Sequence, residues 1–284
     1  MTDLNLWEAI KYLLLGIIQG ITEVLPISSS GHVEIAKVLF QMQVDEGLLF
    51  LILVNTGSLL AFLIVFIRDI FNIAEDVVTY ILVPSRRNDS KDGFATFIKL
   101  IIASIPAAIV GILFNDQIDA LMREYNVLLS GVGLLFTATI LLLTSQGKIK
   151  KGYTHISYVD SVLLGLAQGV ALVPGISRSG ATTSTALKRG VGIDSALRFS
   201  FLMYIPISVG SLLLYLFKLS DEGLGLPSNE YLIYYALAFG GAFIATFIAF
   251  KFIFNIFKSG KLKYFSFYCF ILGLLSIVLY IIKL

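Results

Sequence analysis

The chain has 284 residues, of which 57% are hydrophobic and only 14% charged, with a net charge of +2 and a mean hydropathy of +0.88. A soluble domain averages about 25% charged residues, so there is too little polar surface to cover a globule in water, and the expected solvent is a lipid bilayer. The small net charge supports no nucleic-acid partner, and the single cysteine, Cys269, excludes an internal disulfide.

In chain order, the first apolar run covers 7–25. Glu8 and Lys11 lie near its start, and no small-residue cleavage site follows a basic head, so no removable signal peptide is expected. Pro26 and a serine run break this segment within "QGITEVLPISSSGH" (19–32), and it resumes over 33–41. Stretches at about 47–67, 95–114 and 126–145 follow, each near the roughly 20 apolar residues that cross a bilayer. Segment 69–83 either lies along the inner membrane surface or forms a solvated loop. After "SQGKIKKGYTH", a second interrupted region runs 159–173, breaks at "PGISRSG" and resumes over 181–190. Spans at 196–217, 231–252 and 264–282 complete the chain, with "KLSDEGLGLPSNE" between the first two. Trp7 and the Tyr residues near span ends suit interfacial anchoring. The short alternating segments of a membrane barrel are not seen.

Pro and Gly interrupt helices, and the second half of each broken region is too short to cross a bilayer. Both read as re-entrant hairpins (7–41 and 159–190), since irregular backbone at membrane depth survives only where protein or a wet cavity covers it. Lys and Arg mark cytoplasmic loops. They gather in 68–94 (Arg68, Arg86, Arg87, Lys91), 146–158 (Lys148, Lys150, Lys151), 188–198 (Lys188, Arg189, Arg198) and 251–263 (Lys251, Lys258, Lys261, Lys263). The breaks at 115–125 and 218–230 carry only Arg123 and Lys218, the latter beside Asp221, Glu222 and Glu230, and are extracytoplasmic. The first hairpin then opens outward and the second inward.

The chain also repeats itself. "GIIQGITEVLPISSSG" (16–31) aligns without gaps on "GLAQGVALVPGISRSG" (165–180) at a constant offset of 149, Gln19 against Gln168. The register continues to Asp45 on Asp194 and Phe50 on Phe199. Residues 1–284 therefore form one membrane domain of two repeats, about 7–145 and 156–283. Each holds one hairpin and three spans, and an odd number of crossings turns the second copy upside down. The expected fold is an all-α polytopic membrane protein with six transmembrane helices and two re-entrant hairpins in an inverted-topology repeat. Where the halves diverge, Glu23 faces Leu172, Ser29 faces Arg178 and His32 faces Ala181.

Charged groups at membrane depth cost roughly 2.5–3.5 kcal/mol each and point to function. Glu23 and Arg178 could offset each other as an ion pair, and single serines could bond a neighbouring helix. Together they suggest a site assembled from both tips. Arg178 presents a planar fork of donors suited to phosphate. It precedes a helix whose first amides attract anions, with Ser177, Ser179, Thr182 and Thr183 adding hydroxyls. The first tip supplies Ser28, Ser29 and Ser30, with His32 within reach of Ser29 as its base. Glu23 orients the imidazole or holds a cation with Gln19. Nucleophile, base and anion cradle together suit phosphoryl transfer.

These residues resemble the undecaprenyl-diphosphate phosphatases, the bacitracin-resistance family. "QGITEVLPISSSGH" resembles that family's [E/Q]xxxE and PxSSxGH signatures and "PGISRSGAT" its PGxSRSxxT signature; "IKLIIASIPAAIVGILF" and "ALRFSFLMYIP" resemble secondary motifs. The resemblance covers nearly the whole chain. It implies hydrolysis of a C55 polyprenyl diphosphate to the monophosphate and inorganic phosphate, recycling the cell-wall lipid carrier. It further implies a plasma-membrane site open to the extracytoplasmic face and a divalent cation, Mg2+ or Ca2+. It carries catalytic roles to Glu23, Ser29, His32 and Arg178, and substrate binding to Gln19, Ser28, Ser30, Ser177, Ser179 and Thr182. Whether Ser29 or His32 attacks phosphorus stays open, with Ser29 preferred. Gln19 takes the neutral option of its signature, which weakens a Glu23–Gln19 metal site. The partners are the lipid diphosphate and membrane lipids, with room for a homodimer. The rival reading is a polyprenyl-phosphate flippase built on the same inverted repeat.

Overall fold

The computed structural model describes residues 5–42, 47–146, 156–221, 229–258 and 261–283. The aligned Asp45, the basic run Lys148, Lys150 and Lys151, and Glu222 lie outside these residues. Ten α-helices occur among the described residues: α1 (Leu6–Val24), α2 (Ser29–Leu39), α3 (Gly47–Val65), α4 (Ile67–Leu82), α5 (Arg87–Ser145), α6 (Tyr158–Val170), α7 (Arg178–Lys188), α8 (Ile193–Asp221), α9 (Asn229–Lys258) and α10 (Leu262–Lys283). Five segments are long and apolar enough to cross a membrane: Pro84–Phe114, Glu124–Ser145, Ile193–Phe217, Tyr231–Phe252 and Leu262–Ile282. The pair α3 and α4 adds a sixth if its two helices, bent by 69°, count as one span.

Two connections differ from the sequence reading. The break at 115–125 is helical: "NDQIDALMRE" is polar but rich in residues that favour helix, so α5 continues and kinks at Tyr125 (φ −128°, ψ 26°). Segment 69–83 is the helix α4, not an irregular loop. Its Phe71, Val78, Ile81 and Leu82 are exposed, while Asp69 and Asp76 turn toward a crevice lined also by Thr96, Lys99 and Arg198.

The α1–α2 and α6–α7 pairs are hairpins. Tyr12, early in α1, meets the ring of Phe50, and Lys37, late in α2, sits over the same ring; both arms thus end beside the start of α3. The other hairpin closes at its base through Arg189 Nε donating to Asp160 Oδ1 at 2.8 Å, with Ser157 and Asp160 forming a reciprocal cap at the start of α6. There Ile156, Ala186 and Val191 cluster with Phe199, near the start of α8. Helices α3 and α8 run antiparallel, since Phe66 meets Phe201 while Asn55 meets Tyr204. The two hairpins therefore open at opposite ends of the molecule.

Each hairpin's first arm is seated in the other half of the chain. A Cβ on Gly16 would lie 2.0 Å from the Ala238 carbonyl oxygen, and one on Gly20 2.5 Å from that of Ala242, so α1 touches α9 backbone to backbone. Gly165, which aligns with Gly16, abuts Ala103 and Pro106 of α5 in the same way. Lipid tails are as apolar as leucine, so close packing of small residues holds such helices together. The aromatic cluster of Phe62, Phe66, Phe201, Tyr204 and Phe250 fills the seam between α3, α8 and α9.

Candidate active site

Both helical arms that follow the breaks begin with the same local chemistry. Ser28 caps α2, its Oγ accepting from Gly31 N at 3.3 Å, and Ser177 caps α7, its Oγ accepting from Gly180 N at 3.1 Å. The aligned hydroxyl pairs also match: Ser28 and Ser30 are 3.3 Å apart, Ser177 and Ser179 3.4 Å. Serine is favoured at such caps because it satisfies an amide that has no partner inside the helix. The tips differ in how they turn. In the second, Gly175 takes a left-handed φ of 83°, which glycine adopts freely. In the first, Ser28 itself has φ 67°, a strained value for a residue with a Cβ. Thr137 of α5 pins the second loop, donating to Gly175 O at 3.2 Å and accepting from Ser177 N at 2.9 Å.

The tips meet. Ser179 Oγ donates to Leu25 O at 3.1 Å, and Gly175 N donates to Ser30 Oγ at 3.5 Å. At their junction lies Glu23, only 8% exposed. Its Oε1 accepts from Arg178. Its Oε2 accepts from Ser29 Oγ at 2.5 Å and from Gln19 Nε2 at 2.9 Å. Gln19 Nε2 also donates to Asn55 Oδ1 at 2.8 Å. The Arg178 guanidinium lies 3.8 Å from the ring centroid of Tyr204, whose hydroxyl donates to Asn55 O at 3.0 Å. A buried charge left unpaired is costly, and the Glu23–Arg178 pair removes that cost.

Of the sequence-predicted residues, Glu23, Ser28, Ser29, Ser30, Ser177, Arg178 and Ser179 line one cleft with Asn55, Thr56, Tyr204, Ser208 and Ser211. Three residues sit elsewhere. His32 does not meet Ser29: its Nδ1 lies 2.6 Å from Ser28 O and its Nε2 2.8 Å from the Tyr268 hydroxyl. A carbonyl only accepts, so Nδ1 carries the proton and Nε2 accepts from Tyr268. The physical reason is the left-handed Ser28, which turns Ser29 toward Glu23 and leaves its own carbonyl to the imidazole. Thr182 is buried, donates to Arg178 O at 2.9 Å and bonds Ser200, which fixes α7 on α8 outside the cleft lining. Gln19 is buried behind Glu23 and turns its amide nitrogen to it.

This donor set does not fit a resident divalent cation. The cleft offers one carboxylate, and both its oxygens accept hydrogen bonds from Arg178, Ser29 and Gln19. No group of three or more His, Cys, Asp or Glu side chains able to hold a metal occurs among the described residues.

Asn55 and Tyr204 were not singled out from sequence, though a signal existed. The 149-residue register that aligns the hairpins places Asn55 on Tyr204. An asparagine inside "LILVNTGSLL" is also a polar group at membrane depth. Tyr268 carries no such signal within an apolar span.

Two comparisons with known proteins bear on this site. Residues 12–275 match the family described as Bacitracin resistance protein BacA. The chain is 43% identical over 273 residues to undecaprenyl-diphosphatase 1 of Bacillus cereus, covering 96% of this chain and 98% of that one. It is 42% identical over 275 residues to undecaprenyl-diphosphatase of Oceanobacillus iheyensis (96% and 98% covered) and 38% identical over 275 residues to undecaprenyl-diphosphatase 1 of Halalkalibacterium halodurans (97% of each).

Proposed function

The chain belongs to the bacitracin resistance protein family, and from that premise we propose how its own residues carry the reaction. The activity is that of an integral membrane undecaprenyl-diphosphate phosphatase, releasing undecaprenyl phosphate and inorganic phosphate. One observation supports the site: side chains from hairpins 149 residues apart in sequence form an unbroken chain, Arg178 to Glu23 to Ser29.

In this reading the diphosphate enters with its terminal phosphate between the first turns of α2 and α7, whose amide ends favour anions. Arg178 engages phosphate oxygens and offsets charge on the transferring group. Ser29 Oγ attacks the terminal phosphorus, and its proton passes to Glu23. The bond to the bridging oxygen breaks, undecaprenyl phosphate leaves, and phosphoserine remains. Water then attacks that phosphorus and loses a proton to the site; the P–O bond to Ser29 breaks and inorganic phosphate departs. Glu23, already bonded to Ser29, is the base. His32, its Nδ1–H on the Ser28 carbonyl, holds the turn that aims Ser29. A divalent cation enters only as a companion of the diphosphate oxygens, so no step depends on a protein-held metal.

The outward face is the proposed side of access. From the tips the cleft extends along Ile52, Asn55 and Thr56 of α3 and Ile207, Ser208, Ser211 and Leu212 of α8. Those parts of both helices lead toward the ends that the Lys and Arg distribution assigns to the exterior.

Phosphate release from a C55 or C15 diphosphate by purified protein tests the assignment. Ser29→Ala and Arg178→Ala should each lower turnover by at least about 100-fold, and wild-type rates in either would overturn it. Glu23→Gln should lower turnover without moving the Mg2+ or Ca2+ concentration that gives half-maximal activity.

A further inference from the structure

We propose that Tyr204 is a positioning residue that fixes the plane of the Arg178 guanidinium for the diphosphate, doing for the second hairpin what Asn55 does for the first. The two residues are register mates on α3 and α8, and each attends the charged residue of its own half. Asn55 Oδ1 accepts from Gln19 Nε2, which also donates to Glu23. The Tyr204 ring lies beneath Arg178 at 3.8 Å. The Tyr204 hydroxyl, donating to Asn55 O at 3.0 Å, ties the two supports together.

The choice of an aromatic here has a chemical reason. A guanidinium has five N–H donors in one plane and a long flexible stem. Glu23 fixes one edge of it. A second support built from hydrogen-bond acceptors would compete with phosphate oxygens for the remaining donors. A ring face attracts the cation electrostatically without using any N–H, and more strongly where water is excluded. Tyr204 is 3% exposed, so its ring cannot swing aside as the substrate arrives. The guanidinium therefore keeps its plane while its free edge grips phosphate as a fork.

This inference rests on the reading of Arg178 as the diphosphate-binding group, and the test separates the two. Steady-state kinetics and inhibition by inorganic pyrophosphate are measured for Tyr204→Phe, Tyr204→Leu, Arg178→Lys and the Arg178→Lys/Tyr204→Leu double variant, with thermal midpoints recorded. Tyr204→Phe, which keeps the ring, should stay within about threefold of wild type in kcat/KM. Tyr204→Leu should lose about tenfold, with the pyrophosphate inhibition constant rising in step. In the Arg178→Lys background Tyr204→Leu should add less than about twofold, because Tyr204 acts only through the guanidinium. Full additivity, or a Phe variant as poor as the Leu variant, overturns the proposal. Tyr204→Met serves the same comparison should the Leu variant fail to fold. Wild-type kinetics in Arg178→Lys would instead overturn the reading of Arg178 itself.

Discussion

At the scale of single residues, the chemistry turns on where three serine-rich turn atoms point. Ser29 bonds Glu23, and His32 bonds the carbonyl of Ser28. The two roles open to His32 predict different variants. A base lost from the site costs about 10²–10⁴-fold. A donor to a carbonyl can be replaced by another donor at the same reach. His32→Asn places an amide N–H near the former Nδ1 and should keep turnover within about tenfold of wild type, while His32→Ala should fall well below it; equal loss in both would mean that the imidazole itself moves the proton. The polar identities at this site were legible in the sequence, because Glu23, Arg178 and the serines are groups that a bilayer tolerates only for a reason. Their pairing was not. Three-residue spacing in a helix's first turn predicts contact between Ser29 and His32, and a single backbone torsion, φ 67° at Ser28, overrides it. No residue type announces that torsion, since serine rarely adopts it.

At the scale of elements, small residues decide how the hairpins seat. Helix α1 reaches α9 only because Gly16 and Gly20 lack side chains where the Ala238 and Ala242 carbonyls lie. Gly16→Leu should push the helices apart and destabilise the fold by at least about 1–3 kcal/mol, the usual cost of overpacking, read as a lower thermal midpoint in detergent. Gly240→Ala is the control: a Cβ there meets nothing within 4 Å, and alanine is the better helix former, so its midpoint should hold or rise. Broken helices were readable because proline, glycine and serine interrupt apolar runs at both tips. The course of α5 was not, because loop-like polarity at 115–125 coexists with helix-forming side chains, and a polar stretch can leave the membrane while staying helical.

At the scale of the whole molecule, antiparallel α3 and α8 set the hairpins opening at opposite ends, with their tips joined at Glu23 and Arg178. The gapless register carried this much in advance, since three spans after one hairpin must invert the next copy. What the register could not carry is the direction in which the joined tips communicate with water. The cleft runs between α3 and α8 and includes Ser208 and Ser211, while the crevice of Asp69, Asp76 and Arg198 is lined by α4 and the start of α8, beside the basic segments. The protein's one native thiol, Cys269, is fully buried, so single introduced cysteines report cleanly. In oriented vesicles, Ser211→Cys should react with a membrane-impermeant maleimide from the extracytoplasmic side, and a C15 diphosphate bound in the cleft should slow that reaction. Ser195→Cys, in the other crevice, should react only after the cytoplasmic side is exposed. Reversed sidedness would mean that the tips open inward, and the lipid diphosphate would then be hydrolysed on the face where the basic loops lie.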